Sequence, residues 1–261
     1  MFSLVDKVKE MNPLVLHYTN EVTINDCANV TLAIGASPLM SYSLEEIEEI
    51  VSIASAVVIN IGTMNSSNLE LFIKAGRACN KYNKSVILDP VGVFATKTRS
   101  EFTNRLLNEV KFDVIKGNTA EIKYIGGFDV NGKGVDSFDD EENIDEIIKV
   151  IAQKLDTIIV ATGKVDTVSN GEKIIKIKNG TIKLKSITGT GCMTASLIGS
   201  FMGACENKFE AAIMGVLSMS ISGEIANKEN LSIGSYRVKL MDSIYELNKK
   251  TYEEYAKVEI I

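Results

Sequence analysis

The segment Thr188-Gly-Thr-Gly-Cys-Met-Thr-Ala195 carries the strongest chemical signal in the chain. Gly189 and Gly191 let the backbone turn tightly, so that successive N–H groups converge just as a helix begins. Such a turn is an anion hole, with the positive end of the helix dipole directed at the ligand. Cys192 sits inside it, and a thiol in that setting is expected to have a lowered pKa. The alternative is a helix-start turn holding a small buried cysteine. Three further places lie where β-type runs end. Asp89, in Ser85-Val-Ile-Leu-Asp-Pro-Val-Gly92, could hold magnesium through waters, or it could cap nearby amides. In Ile115-Lys-Gly-Asn-Thr-Ala-Glu121, Asn118 and Glu121 have the spacing of a capping box. Glu121 could equally face phosphates and a metal, with Lys116 meeting phosphate as a point charge. Both readings are compatible, because a helix start already attracts anions. Thr162, in Val160-Ala-Thr-Gly163, could donate to a nucleotide phosphate, although Thr-Gly after a strand is also ordinary turn chemistry.

These residues need a scaffold that brings strand ends together. Residues 56–61, 85–88, 113–115 and 157–161 are nearly continuous apolar runs and read as strands buried on both faces. Helical stretches separate them, and Ser43 with Glu46 and Ser67 with Glu70 predict capping boxes at two helix starts. This alternation implies βαβ units and an α/β fold with a mostly parallel sheet covered on both faces. In open sheets of that kind, ligands bind at the carboxyl ends of the strands. Asp89, Lys116 and Thr162 all fall there. Residues 126–140 are Gly- and Asp-rich and read as a loop, while Ser-Asn-Gly within 166–187 predicts an antiparallel hairpin. Beyond Gly191 the pattern is helical to the end, with long segments over 210–227 and 238–255. Neither a repeat nor a linker interrupts the chain, so one domain over residues 1–261 is expected.

The 261 residues are 45% hydrophobic and 24% charged, ordinary for a globular protein. A net charge of −6 offers no basic face, so no nucleic-acid partner is expected. Cys27, Cys79, Cys192 and Cys205 form no C-x-x-C pair, which argues against zinc and against a secreted disulfide framework. All but Cys192 fall in apolar helical patterns and read as core fillers. Asp6, Lys7, Lys9 and Glu10 occupy the place where a signal peptide needs an apolar core. The uncharged stretch 186–205 opens on a glycine turn, leaving too short an apolar run for about 30 Å of hydrocarbon. A cytoplasmic protein without a membrane span is expected. His17 is the single histidine and reads as a hydrogen-bonded structural residue. A hydrolase using Cys192 as nucleophile would therefore have only that residue as a base.

Several segments, taken in order, resemble the hydroxyethylthiazole kinase family. They are Thr19-Asn20, Asn25, Ala28-Asn29, Leu32-Ala-Ile-Gly-Ala-Ser-Pro-Leu-Met40, Ile59-Asn-Ile-Gly-Thr63, Leu88-Asp-Pro-Val-Gly92, Gly117-Asn-x-x-Glu121 and Gly189-Thr-Gly-Cys192. The resemblance runs from residue 13 to residue 225. It implies a ribokinase-like three-layer sandwich and magnesium- and ATP-dependent phosphorylation of the primary alcohol of 4-methyl-5-(2-hydroxyethyl)thiazole, a salvage step of thiamine biosynthesis. It also implies a homotrimer with active sites at subunit interfaces. Carried over position by position, Asp89 and Glu121 would serve magnesium and phosphate, and Lys116 and Thr162 would contact ATP. Met40 and Gly189 would contact the thiazole, Cys192 would lie beside the alcohol, and Asn20, Asn25 and Gly62 would line the substrate pocket.

Two positions qualify the match. The family usually has arginine where this chain has Lys116, which keeps the charge and loses the planar fork. The wider superfamily commonly has aspartate at the position of Cys192, so the cysteine points to the thiazole kinases. Kinases for hydroxymethylpyrimidine or pyridoxal, a nucleotide-hydrate dehydratase of the same superfamily, and a non-catalytic nucleotide-binding protein are the alternatives.

Overall fold

Alternating apolar residues along each strand must be covered on both sides, and that requirement sets the layers of the fold. The computed structural model describes residues 1–128 and 144–261. The expected runs appear as β3 (Ala56–Asn60), β4 (Ser85–Asp89), β5 (Val114–Asn118) and β6 (Ile158–Thr162). Two strands precede them, β1 (Leu14–Tyr18) and β2 (Ser37–Met40), and three follow, β7 (Asp166–Ser169), β8 (Ile174–Ile177) and β9 (Val258–Ile260). All nine form one sheet in the order β2-β1-β3-β4-β5-β6-β7-β8-β9. The strands from β2 through β6 in that order run parallel, and β7, β8 and β9 join antiparallel.

One face of the sheet buries Val15, Val58, Ile87 and Val114 beneath α1 (Leu4–Met11), α2 (Ile24–Ile34), α8 (Thr190–Met202), α9 (Lys208–Asn227), α10 (Ile233–Tyr245) and α11 (Lys249–Tyr255). The other buries Leu16, Val57, Val86 and Leu88 beneath α3 (Ile47–Ile53), α4 (Asn68–Lys81), α5 (Lys97–Glu109), α6 (Thr119–Gly126) and α7 (Ile144–Leu155). This is the three-layer sandwich that the sequence implies. The uncharged stretch at 186–205 becomes α8, a core helix buried from Met193 to Met202. Gly199 lets α8 approach the sheet, since a Cβ there would stand 3.0 Å from side-chain carbons of Val15 and Val58. The α9 helix is long and apolar enough to cross a membrane, but 78% of its apolar window is buried inside the fold.

The differences from expectation are local. Ser43 donates to Glu45 and Ser41 to Glu46, so no capping box forms and α3 begins later, at Ile47. At α4, Asn65 accepts the Asn68 amide at 3.0 Å, doing the capping expected of Ser67 with Glu70. Cys205 lies in the turn after α8 rather than in a helix. The predicted helix over 238–255 is two helices, because Asn248 starts a new one by accepting from the Thr251 amide at 3.2 Å. The chain then ends in β9, so it is not helical to its end. The hairpin forms as β7 and β8, with Gly171 at φ 86°. Of the predicted loop 126–140, Gly126 ends α6 and Gly127 caps it, and 129–140 lies outside the described residues.

Candidate active site

Parallel strands side by side place their carboxyl ends in one row, and α8 begins opposite that row. Gly189 precedes α8 with φ 85°, and a Cβ on it would stand 2.3 Å from the Thr23 methyl carbon. Only glycine meets both conditions. A Cβ on Gly191 would stand 2.9 Å from the Lys116 ammonium, so that charge lies over the first turn of α8.

Cys192 follows directly. Its Sγ accepts from Asn20 Nδ2 at 3.3 Å and from Asn60 Nδ2 at 3.2 Å. The same Asn60 nitrogen donates to Asp89 Oδ2 at 2.7 Å, and Asn60 Oδ1 accepts from Asn20 at 2.9 Å. Asp89 Oδ1 has no hydrogen-bond partner and faces Lys116 Nζ at 3.5 Å. Asn118 and Glu121 form the expected capping box. Glu121 Oε2 accepts the Asn118 amide at 2.7 Å, and Oε1 accepts the Gly92 amide at 2.8 Å.

The fold thus gathers Asp89, Lys116, Glu121, Gly189 and Cys192 at one end of the sheet. Thr162 stands one strand away, paired in register with Asn118, and donates to the Gly117 carbonyl at 3.2 Å. Met40 ends the edge strand β2, alongside His17 of β1. Gly62 packs against Asn20, where a Cβ would come within 2.9 Å. Asn25 departs from the others, lining a surface groove between α2 and α10 with Asp26 and Arg237. Asn60 is the residue that sequence reasoning missed as a site group. Its signal is a lone polar residue between Ile59 and Ile61 at the end of an apolar strand.

The electrostatics correct one expectation. Burial and the neighbouring Asp89 push the Cys192 thiol above its usual pKa, against the pull of Lys116, Thr23 and Asn60. The helix start favours a thiolate, but loss of water and a facing carboxylate outweigh it. Burial pulls the Lys116 ammonium down, yet the carboxylates of Asp89 and Glu121 more than compensate and hold it protonated. Burial also raises the Glu121 carboxyl, opposed by its amide bonds to Gly92 and Asn118.

His17 stands apart from this chemistry. Its Nδ1 meets the Val15 carbonyl and its Nε2 the Ser196 hydroxyl, each at 3.0 Å, and burial pushes its pKa down to about 4. Both ring nitrogens are committed, so it cannot serve Cys192 as the base of a hydrolase.

Beside the cluster opens a cavity of about 730 Å³, a size suited to a small ligand. Asn118, Thr162, Asp166 and Gly191 line its polar side, and Val216 and Met219 its apolar side. Among the described residues no group of three His, Cys, Asp or Glu could cage a metal. Magnesium needs no such cage, because one or two carboxylates suffice when waters and phosphates complete its shell. Asp89, whose Oδ1 has no hydrogen-bond partner, fits that requirement, and Glu121 beside it keeps a second lone pair on each oxygen that one amide already engages.

Known proteins identify the family. The family model described as the hydroxyethylthiazole kinase family matches residues 5–250. A hydroxyethylthiazole kinase of Clostridioides difficile is 63% identical over the whole of both chains. One from Clostridium tetani is 46% identical over 97% of this chain and 94% of its own. The structure of a hydroxyethylthiazole kinase from Pyrococcus horikoshii superposes with a TM-score of 0.90 at 36% identity, covering 100% of this chain and 98% of the other. With its strand-end cluster, its glycine-flanked helix start and its full-length relatives, this ribokinase-like chain belongs to the hydroxyethylthiazole kinase family.

Proposed function

We propose that the protein transfers the γ-phosphoryl group of ATP to the primary alcohol of 4-methyl-5-(2-hydroxyethyl)thiazole, a salvage step of thiamine biosynthesis. One observation carries this reading beyond family membership. The Cys192–Asn60–Asp89–Lys116 chain of contacts lies at the start of α8, and Thr190, Gly191 and Thr194 of that helix line the adjoining cavity of about 730 Å³. A thiazole alcohol reaching Cys192 would meet ATP laid along Thr162 and Asn118.

Magnesium, held by Asp89 and Glu121 with waters and phosphate oxygens, would supply charge neutralisation on the phosphates. Lys116 and the amides at the start of α8 would draw off the negative charge that gathers on the transferred group. The alcohol would lie against Cys192, whose thiol is neutral and held by Asn20 and Asn60. A neutral thiol orients the alcohol more than it deprotonates it. That suffices, because phosphoryl transfer has a loose transition state in which positioning and electrostatics dominate. General base catalysis adds only about 10²–10⁴-fold.

The resemblance extends to a homotrimer in the cytoplasm. Leu32 on α2, with Val238 and Tyr245 on α10, leaves apolar side chains exposed, as a subunit contact requires. The deciding assay is purified protein with magnesium-ATP and the thiazole alcohol, read by mass spectrometry for the phosphate ester. Hydroxymethylpyrimidine and pyridoxal serve as competing alcohols. Ester formed from either of them in preference to the thiazole would overturn the substrate assignment.

A further inference from the structure

Arg99 is the one arginine that makes no ion pair among the described residues; Arg77, Arg105 and Arg237 all meet carboxylates. It lies in the first turn of α5, where Thr96 accepts its backbone amide at 3.2 Å. Its guanidinium turns to the main chain instead. Nη1 donates to the carbonyls of Ile61 and Val91, both at 2.9 Å, and Nη2 donates to the carbonyl of Gly62 at 2.8 Å. One planar group thus joins the turns that follow β3 and β4.

Two of these carbonyls belong to peptide units whose other ends hold the active cluster. The Ile61 carbonyl shares its peptide plane with the Gly62 N–H, which donates to Asn60 Oδ1 at 2.9 Å. The Val91 carbonyl shares its plane with the Gly92 N–H, which donates to Glu121 Oε1 at 2.8 Å. A peptide unit is rigid, so fixing its carbonyl fixes the direction of its N–H. Gly92 itself has φ 67°, a backbone setting that glycine tolerates and that turns its N–H toward Glu121.

We infer that Arg99 is a positioning residue that sets Asn60 and Glu121 at once, through these two peptide planes. With Gly62 held, Asn60 Oδ1 accepts from both Gly62 and Asn20, which leaves its Nδ2 directed at Asp89 and Cys192. With Gly92 held, Glu121 keeps one oxygen on each of two amides. Lysine cannot replace this fork, because a single ammonium lacks the fixed, planar spread of donors. The inference rests on the proposed kinase reading for its kinetic consequence, but its geometric part stands without it.

The test uses Arg99→Met and Arg99→Lys in the full-length protein. Both are expected to lower kcat by more than about tenfold and up to about 10²-fold, the penalty for misplacing reacting groups by about an ångström, with little change in KM for ATP. In 1H–15N spectra of either folded variant, the Gly62 and Gly92 amides should both shift while the Gly163 amide stays. Unmoved Gly62 and Gly92 amides, or kcat within about twofold of the parent, would overturn the inference. If Arg99→Met fails to fold, Arg99→Lys decides. Failure of both would make Arg99 a support of the whole fold and overturn it too. A parent protein that phosphorylates no alcohol would sink the kinase reading, while the amide shifts would still judge Arg99.

Discussion

The Lys116 ammonium stands 3.5 Å from Asp89 Oδ1, and the two side chains are only 4% and 1% exposed. Two opposite charges so far from water each depend on the other. Breaking a buried pair from one side leaves a charge without compensation, at a cost of about 3–5 kcal/mol. Lys116→Ala should therefore lose stability on that scale in urea unfolding, besides losing turnover. Lys116→Arg keeps the charge and adds a planar fork for phosphate, so its KM for ATP should equal or fall below that of the parent. A rise of more than about tenfold would mean that the space over Gly191 is cut to an ammonium.

Asp89→Ala and Glu121→Ala should each reduce turnover more than Cys192→Ala does. They remove the two carboxylates that fit magnesium, while the thiol contributes mainly orientation. The half-saturating magnesium concentration should rise in both variants. Near-parental rates at low magnesium would contradict the assignment of these carboxylates.

Cys192→Ala should slow turnover without abolishing it, and Cys192→Asp should remain active. The physical ground is the neutral thiol, raised by burial and by Asp89. The same ground predicts slow alkylation of Cys192 by iodoacetamide near neutral pH, slower than for an exposed cysteine and faster as pH rises. Rapid modification at neutral pH, protected by ATP, would show a thiolate and restore base catalysis to the account.

Much of this arrangement is legible in the sequence, and the exceptions have physical causes. The four buried strands are read from runs that are nearly all apolar, and Val86-Ile-Leu88 has no polar residue to confuse the pattern. Strand β2 is harder, being a half-buried edge that contains Pro38. The short run Leu14–Tyr18 includes the buried His17, whose hydrogen bond to Ser196 comes from α8, an element that local pattern cannot foresee. Gly189 and Cys192 are read correctly as a helix start, because glycine spacing is a local property. The direction of the Cys192 pKa is not local. It depends on Asp89 and on burial, which unite residues about a hundred positions apart only after folding. Asn60 and Arg99 escape for the same reason, since their partners lie at the ends of other elements.

Asp166 supplies a pH signature independent of turnover. It begins β7, accepts from the Gly163 amide at 2.9 Å and from the Ser220 hydroxyl at 3.0 Å, and lines the cavity. Burial raises its carboxyl from 3.8 to about 6, against those two bonds and the charge of Lys116. The folded chain therefore keeps this proton until about pH 6, whereas the unfolded chain releases it near 3.8. Between those values the folded state binds more protons, so stability falls as pH rises, and the loss is complete above pH 6. From pH 5 to pH 8 the shift corresponds to a loss on the order of 1 kcal/mol. Asp166→Asn keeps an acceptor for Gly163 and turns an amide toward Ser220, and it does not titrate. Urea unfolding at the two pH values should show the variant gaining on the order of 1 kcal/mol on the parent at the higher one. Parallel pH dependence would mean that Asp166 ionises as an exposed aspartate does, and that water enters the groove at Ser220.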